Sequence, residues 1–179
     1  IIYTTKKGKL GSGLGITFSS SYEMQKVNRL PEFQKKYGQG TGGAYTNETA
    51  DSWGEDLIAA GKPIYNNVEE FFKNGNVFNN NLSITSGGEK TTMRFSVGST
   101  NNTGIVPNTS YNRYTSRLNA ESKLNDRITV GGNFSFTNAN TRAAQNGSNI
   151  AGVMLALLRS PVDFNLKDYQ DELGVQKTY

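Results

Sequence analysis

Four acidic residues lie close to the only tryptophan of this 179-residue chain. They are Glu48, Asp51, Glu55 and Asp56, on both sides of Trp53. Paired carboxylates can catalyse glycoside hydrolysis, and acidic loops can bind calcium. The spacing of these four residues matches no calcium-binding loop, so we interpret them as solvated surface charge.

Composition limits other chemistry. The chain contains no histidine and no cysteine, which removes the commonest general base and metal ligand and all thiolate sites. Two glycine-rich runs, 11–15 and 38–43, resemble phosphate-binding loops in composition. Neither run follows a buried strand and leads into a helix, as the dinucleotide-binding mechanism requires. We therefore expect no catalytic residues, no metal and no cofactor. We also expect that the protein is not an enzyme.

The region around the tryptophan also contains candidates for ligand binding. Sugars bind to aromatic faces flanked by hydrogen-bonding side chains, because their CH-rich faces stack on rings while their hydroxyls need partners. The candidates are Tyr37, Tyr45, Trp53 and Asp51, with Gln39, Asn47 and Glu48 nearby. Trp53 is the best single candidate, since it lies among acceptors. The alternative is that these aromatic residues pack the loop or contact a partner protein.

Five short segments alternate apolar and polar residues, and this period of two predicts β-strands. We expect strands at about Leu14–Val27, Phe78–Ser86, Thr91–Ser99 and Arg113–Lys123, and from residue 128 to about Asn138. A tight hairpin at 87–90 joins the second and third strands. The longest apolar run, Val153–Leu158, is far too short for a transmembrane helix, which needs about 20 apolar residues.

Each predicted strand has one apolar face and one face of small polar residues. This pattern is typical of a membrane-spanning antiparallel β-barrel, although period alone does not exclude a soluble β-sandwich. The residues predicted to face lipid are Leu14, Ile16, Phe18, Leu82, Ile84, Met93, Phe95, Leu118, Val130 and Phe134. The residues predicted to face the lumen or a plug are Thr17, Ser19, Ser83, Arg94, Arg117, Asn119 and Asn133. The mean hydropathy of −0.58 is compatible with a barrel, because alternating strands do not raise hydropathy averages.

The net charge of +4 and the pI of about 9.2 do not indicate nucleic-acid binding. A nucleic-acid surface would concentrate basic residues on one face, with aromatic residues between them. The lysines and arginines of this chain are scattered, apart from Lys6, Lys7 and Lys9.

The predicted connections alternate in length: long, short, medium, short, long. Outer-membrane barrels have short periplasmic turns and long extracellular loops, so the alternation places Ile1 on the periplasmic side and Tyr179 on the extracellular side. Five antiparallel strands leave two open edges, which are costly in lipid, and closed barrels usually have about eight or more strands. The chain also opens in mid-pattern, without an initiator methionine or signal peptide. We therefore expect it to be a fragment.

Two helices are predicted in the long segments. Asn67 can cap a short helix that ends at Phe72 and has acidic residues in its first turn. Ser148 can cap a helix over Asn149–Arg159. This second helix is apolar on nearly every side. It is either buried in its own loop, or a contact surface for another subunit, or a lid over the lumen.

A series of phrases resembles the SusC/RagA family of TonB-dependent outer-membrane transporters. The segment Ile2–Lys9 is similar to the end of the family's plug domain, which leads directly into the first barrel strand. Further similar phrases, in the family's order and spacing, are Lys26–Phe33, Lys36–Gly40, Ser52–Gly54, Asn67–Phe72, Asn80–Thr85, Gly104–Asn108 and Lys123–Arg127. The resemblance covers most of the chain and weakens after about Ala139.

The resemblance implies a plugged barrel of about 22 strands. Residues 1–9 would then end the plug, and residues 10–179 would form the N-terminal part of the barrel, with long extracellular loops and short helices. It also implies an integral protein of a Gram-negative outer membrane, which imports an oligosaccharide or peptide with energy from the TonB complex. TonB would bind a part of the polypeptide that this chain does not contain. A SusD-like surface lipoprotein is the implied partner, and the loops Asn28–Asn76 and Ala139–Tyr179 are its candidate contacts.

Two other functions stay open on the residues alone. One is an unplugged porin that passes solutes passively, and the other is a soluble secreted β-module that binds glycans. The plug-like start favours a transporter over a porin. The alternation without core-type strands favours both membrane functions over the soluble module.

Overall fold

A computed structural model describes residues 6, 8–147 and 152–177 of the chain. These residues form an antiparallel sheet of five strands in the order β1-β2-β3-β4-β5, so each strand pairs with its neighbour in sequence. The strands are β1 (Gly13–Gln25), β2 (Gly75–Gly87), β3 (Thr91–Thr103), β4 (Ser110–Lys123) and β5 (Thr129–Arg142). Two short helices, α1 (Asn67–Phe71) and α2 (Val153–Arg159), complete the elements of the described residues. The fold class is therefore all-β, as the alternation predicts.

Each of the two short connections is a turn that is closed by hydrogen bonds among its own residues. Between β2 and β3, the amide of Gly88 donates to the carbonyl of Thr91 at 2.9 Å. Between β4 and β5, the side chain of Asn125 accepts hydrogen bonds from the amides of Arg127 and Ile128, both at 2.9 Å. An asparagine that bonds the backbone two and three residues ahead reverses the chain locally. Both hairpins are thus specified by local sequence.

The third and fourth strands are longer than the alternation predicts. The sequence predicts a loop over 100–112, but β3 continues to Thr103 and β4 begins at Ser110. Asn101 pairs with Asn112 in the ladder, and its side-chain amide donates to Asn112 Oδ1 at 3.0 Å. Strand ends rich in asparagine lack apolar alternation and therefore look like a loop. The expected contrast between a medium and a short connection is reduced, because 104–109 is only one residue longer than 124–128, although it is twice as long as 88–90.

The first helix does not begin as predicted. Asn66, not Asn67, is the N-cap of α1, and it makes no capping hydrogen bond through its side chain. Asn67 is the first residue of the helix, and its side chain bonds a distant part of the chain instead. The predicted cap at Asn67 is therefore wrong.

The second helix is shorter than predicted and is covered on one side. It begins at Val153, and the predicted cap Ser148 lies outside the described residues. Leu157 is buried, whereas Met154 and Leu158 are exposed. Across the described residues, neither helix has the length and apolar character needed to cross a membrane.

The chain divides into two compact units, which we call the sheet unit and the loop unit. The sheet unit consists of Ile1–Gln25 and Asn74–Ala143. The loop unit consists of Lys26–Lys73 and Ala144–Tyr179, two segments that are separated in sequence by β2 to β5.

The two units differ in where their apolar side chains lie. The loop unit has a small core in which Leu57 and Pro161 are fully buried and Val68 and Leu157 nearly so. Val77 is the buried apolar side chain of the described sheet residues, and most of the alternating apolar side chains are exposed. Apolar surface of this extent marks a face that meets lipid or another protein surface.

Candidate functional site

In the first long loop, the glycine-rich run pairs with the segment around Trp53. The amide of Gly40 donates to the carbonyl of Asp51 at 2.8 Å, and the amide of Trp53 donates to the carbonyl of Gly40 at 3.0 Å. Gly40 has a φ of 131°, and a Cβ at this position would overlap the carbonyl of Ala44. Glycine is therefore needed for close backbone pairing at this position, and this pairing accounts for the run without a phosphate.

The aromatic candidates are only partly brought together. The rings of Tyr37 and Trp53 lie with centroids 6.2 Å apart and planes inclined at 43°, within the range of attractive aromatic pairs. Tyr45 is associated with a cation instead, because Lys62 Nζ lies 5.4 Å from its ring centroid. Trp53 is 65% exposed and Tyr45 is 57% exposed, so each presents a ring to an incoming molecule.

Two of the four acidic residues have structural partners. Glu55 forms an ion pair with Lys62. Asp56 Oδ1 accepts hydrogen bonds from the amides of Ile58 and Ala59, both at 3.1 Å. Asp51 is exposed two residues before Trp53, and its backbone carbonyl accepts a hydrogen bond from the amide of Gly40.

Cations of this loop stay protonated. The hydrogen bond with Tyr37 raises the pKa of Lys36, and Asp56, whose Oδ2 is 3.7 Å away, raises it further. The hydrogen bond with Glu55 raises the pKa of Lys62. The Tyr37 and Tyr45 rings are therefore each accompanied by a positive charge.

The sequence predicts Gln39 as a hydrogen-bonding residue beside the ligand candidates, but its side chain is not available to a ligand. It is only 4% exposed, and its side-chain amide donates to the carbonyl of Thr49 at 2.8 Å. Its backbone amide donates to both carboxylate oxygens of Asp163, at 3.0 and 3.1 Å. Gln39 therefore holds the loop unit together.

Sequence reasoning also missed the role of Asn67. Its side-chain nitrogen donates to the carbonyl of Phe164 at 2.7 Å, and its side-chain oxygen accepts from the amide of Leu166 at 3.2 Å. The adjacent residue Tyr65 donates its amide to the carbonyl of Val162 at 2.7 Å. Only the fold reveals these bonds, because nothing in the local sequence indicates a partner about a hundred residues away.

The loop unit contains a mixed pocket of about 340 Å³. Apolar side chains from both segments line it, including Leu30, Phe33, Val68 and Val162. Lys35 lies at its edge, where Lys35 Nζ donates to Asn66 Oδ1 at 2.7 Å. Such a lining suits an apolar side chain with a polar group beside it.

The five strands present two chemically distinct faces. Paired residues of neighbouring antiparallel strands lie on the same face, so the register assigns every strand residue. All ten residues predicted to face lipid lie on one face, and all seven predicted to face the lumen lie on the other. The apolar face carries one charged strand residue, Arg142, at the end of β5.

The edge of the apolar surface crosses the sheet obliquely. On β1 the outward apolar residues continue to Met24, whose row across the sheet ends at Arg142 on β5. On β5 the last outward apolar residue is Phe136, six residues earlier. Six residues span about 20 Å and four strand spacings about 19 Å, which gives an average slope of about 45° between the two end strands. The edge is stepped, because Val97 on β3 already lies in the row of Phe136. Strands of membrane barrels tilt by about 35–45°, so a horizontal apolar belt would cross them at this slope.

The N-terminal segment lies on the polar face. The side-chain nitrogen of Asn119 donates to the carbonyl of Lys6 at 3.4 Å. Gly8 packs so closely that an added Cβ would lie 3.3 Å from the Cβ of Thr92 and 3.0 Å from the carbonyl oxygen of Ser86. Lys6 and Gly8 are thus held against the face opposite to the apolar surface.

No protein-family model matches the chain. Two curated proteins do, and both are TonB-dependent receptors. The chain is 30% identical over 172 residues to the TonB-dependent receptor SusC of Bacteroides thetaiotaomicron, a match that covers 95% of the chain and 17% of that protein. It is 30% identical over 137 residues to the TonB-dependent receptor P39 of Formosa agariphila, covering 73% of the chain and 13% of that protein.

A solved structure agrees with these matches. The chain superposes on the RagAB peptide importer in its closed-closed state with a TM-score of 0.65 and 23% identity. The superposition covers 97% of the chain and 23% of the solved chain. The chain spans less than a fifth of the length of its curated relatives, and the sheet has the fold of a segment of such a protein.

Proposed function

Because this chain is a SusC/RagA-like segment of a TonB-dependent transporter, we propose that the whole protein imports a bulky nutrient across a Gram-negative outer membrane. The nutrient is an oligosaccharide or a peptide, and the TonB complex supplies the energy through a part of the polypeptide outside this chain. The similarity to SusC and to P39, over 95% and 73% of the chain, is the observation that carries the proposal.

The sheet contributes a section of the barrel wall. Its apolar face meets lipid, and its polar face meets the lumen and the plug. The oblique edge of the apolar surface, at the slope expected for tilted strands, supports this assignment. The position of Lys6 and Gly8 on the polar face supports it independently, because the chain that ends a plug must leave from inside the barrel.

The loop unit is the extracellular surface that contacts a SusD-like lipoprotein. The pocket beside Leu30 and Phe33 supports this proposal, since it combines apolar lining with a lysine at its edge. Interface cores are enriched in aromatic residues and depleted of lysine, with polar groups at the rim. The half-buried rings of Tyr37 and Tyr65 belong to the same unit.

Trp53, with Tyr37 and the carboxylate of Asp51, is our candidate contact for the nutrient. The exposed indole offers a stacking surface and the carboxylate an acceptor for hydroxyl or amide groups. Tyr45 adds a second exposed ring beside Lys62. The exposure of Trp53 and Tyr45 supports this role.

The experiment is uptake by the full-length protein. A deletion strain is grown on a panel of oligosaccharides and peptides, and depletion of each from the medium is followed by mass spectrometry. Loss of one nutrient, restored by the intact gene but not by a gene lacking the TonB-binding segment, is the expected result. Restoration by both genes would instead indicate passive entry through a porin, and depletion that the deletion leaves unchanged would refute import.

A further inference from the structure

On the polar face of the sheet there is a pocket whose charged lining residues are all cations. It measures about 440 Å³ and is lined by Lys6, Arg94 and Arg117, together with Asn119 and Asn133. The two arginines come from adjacent strands, and the lysine comes from the segment that crosses this face. No carboxylate is among the residues that line it.

The sheet register fixes the two arginines close together. Arg94 pairs with Asn119, and Arg117 pairs with Ser96, so the arginines are diagonal neighbours on the same face. Diagonal neighbours of this kind have Cα atoms about 7–8 Å apart. Arg94 is held in place by a hydrogen bond from its Nη2 to Ser83 Oγ at 3.0 Å.

Lys6, Arg94 and Arg117 belong to none of the ion pairs of the described part of the chain. A carboxylate lies on the same face, because Glu121 pairs with Thr92 and is thus the other diagonal neighbour of Arg94. Like charges at this separation repel, and the repulsion grows when a plug or a nutrient excludes water from the face. Three cations beside one carboxylate leave an excess of positive charge, and an anion among the cations would offset it in a filled lumen.

The polar residues of the pocket supply matching donors. The amides of Asn119 and Asn133 offer N–H groups beside the two guanidinium groups. Arginine binds oxyanions bidentately, with two parallel hydrogen bonds. Arg113, four residues before Arg117 on the same face of β4, extends the positive charge along the strand. In other pores, rings of arginine or lysine side chains around the channel select for anions.

We propose that this pocket binds an oxyanion carried by the nutrient, so that the imported class is anionic: a uronate or sulfated oligosaccharide, or an acidic peptide. This inference rests on the proposed function and narrows its substrate. A carboxylate of the same polypeptide, in the plug, could supply the same chemistry, and the experiment separates the two sources.

The test uses the purified full-length transporter in detergent. Binding is measured by calorimetry with trigalacturonate and its methyl ester, with triglutamate and triglutamine, and with inorganic sulfate. The variants are Arg94→Gln/Arg117→Gln, the charge-conserving Arg94→Lys/Arg117→Lys, and Arg142→Gln as a matched control on the opposite face. Thermal unfolding of the ligand-free variants is measured in parallel.

We expect at least one carboxylated probe to bind about tenfold or more tightly than its neutral counterpart. The glutamine double variant should lose this preference, the lysine double variant should keep part of it, and Arg142→Gln should keep all of it. If the charged probes show no preference but the wild-type transporter takes up a neutral nutrient, this inference fails while the proposed function stands.

Two results would overturn the inference. One is binding that is equal for charged and neutral probes, or absent for every charged probe. The other is that the ligand-free glutamine double variant unfolds at a lower temperature than the wild type, while the wild type binds none of the probes. This result would mean that the anion belongs to the transporter's own polypeptide.

Discussion

The backbone amide of Gln39 donates to both carboxylate oxygens of Asp163, although 124 positions separate the two residues. A single carboxylate thus binds the glycine-rich run of the first loop to the segment that follows α2. The cluster of bonds at Gln39, Tyr65 and Asn67 makes one compact loop unit from two distant segments.

Replacement of Asp163 by alanine should loosen the loop unit. Hydrogen bonds to charged acceptors contribute about 1.5–3 kcal/mol each, and the amide of Gln39 would be left buried without its acceptor. In hydrogen exchange of the full-length protein, we expect faster exchange at 38–40 and unchanged exchange in β3 and β4. Asp163→Asn keeps one acceptor oxygen and should show a smaller effect. Equal exchange in all three proteins would contradict a stabilising role for this carboxylate.

A charge on the apolar face should be costly, and the same charge on the polar face should not. Phe18 and Ser19 are adjacent on β1 and lie on opposite faces. We expect Phe18→Arg to lower the free energy of unfolding by about 2–4 kcal/mol in a bilayer, and Ser19→Arg to change it by much less. Urea titration of the full-length barrel in vesicles measures both. A similar cost for the two variants would argue against lipid on the apolar face.

Spin labels should report the same difference directly. The chain has no cysteine, so labels can be placed at Phe134→Cys and Asn133→Cys, which are neighbours on β5 with opposite orientation. Collision with oxygen, which dissolves in lipid, should dominate at residue 134, and collision with a water-soluble nickel complex should dominate at residue 133. Equal access of the nickel complex to both sites is the result that sinks the barrel assignment.

Trp53→Ala in the full-length transporter should weaken uptake without lowering its abundance in the membrane. Loss of one stacking surface corresponds to an apparent affinity about three- to tenfold lower. Concentration-dependent uptake of the identified nutrient, normalised to transporter abundance, measures this. Tyr169→Ala, at another exposed ring of the loop unit, is the control and should behave as wild type. Normal uptake by the Trp53 variant would place the nutrient elsewhere in the barrel.

Gly87→Ala should displace the N-terminal segment, because a Cβ at Gly87 would overlap the carbonyl of Lys9. Overpacking of this kind costs about 1–3 kcal/mol. Gly88→Ala is the matched control, since its Cβ would lie 3.8 Å from the carbonyl oxygen of Thr91 and meet nothing closer. Proteolysis of the full-length transporter near residues 6–12 should be faster in the first variant alone. Equal cleavage rates would indicate that the segment moves aside without cost.

The sequence predicts the sheet well because its signal is local. Alternation at Leu14 to Phe18 and at Met93 to Val97 identifies strands and assigns their faces without knowledge of the fold. The extended end of β3 at Asn101 escapes prediction, because amide side chains on both faces remove the apolar–polar alternation that marks a strand.

The candidate site is less predictable because its positions depend on long-range bonds. Residue type alone makes Gln39 look like a ligand contact and Asn67 look like a helix cap, whereas both bond residues near 163–166. Trp53 likewise pairs through its backbone with Gly40 and is exposed, and its residue type indicates neither. The sequence thus identifies the loop and its aromatic residues, but not which side chains are free.

The division of the loop unit between two segments has a consequence for assembly. Contacts between residues far apart in sequence form late, because closing long loops costs entropy and slows folding. The first loop emerges from the ribosome well before Asp163, so it waits unfinished until β2 to β5 and α2 have followed. We therefore expect the glycine-rich run to be open to proteases during biogenesis until the second segment has completed the loop unit.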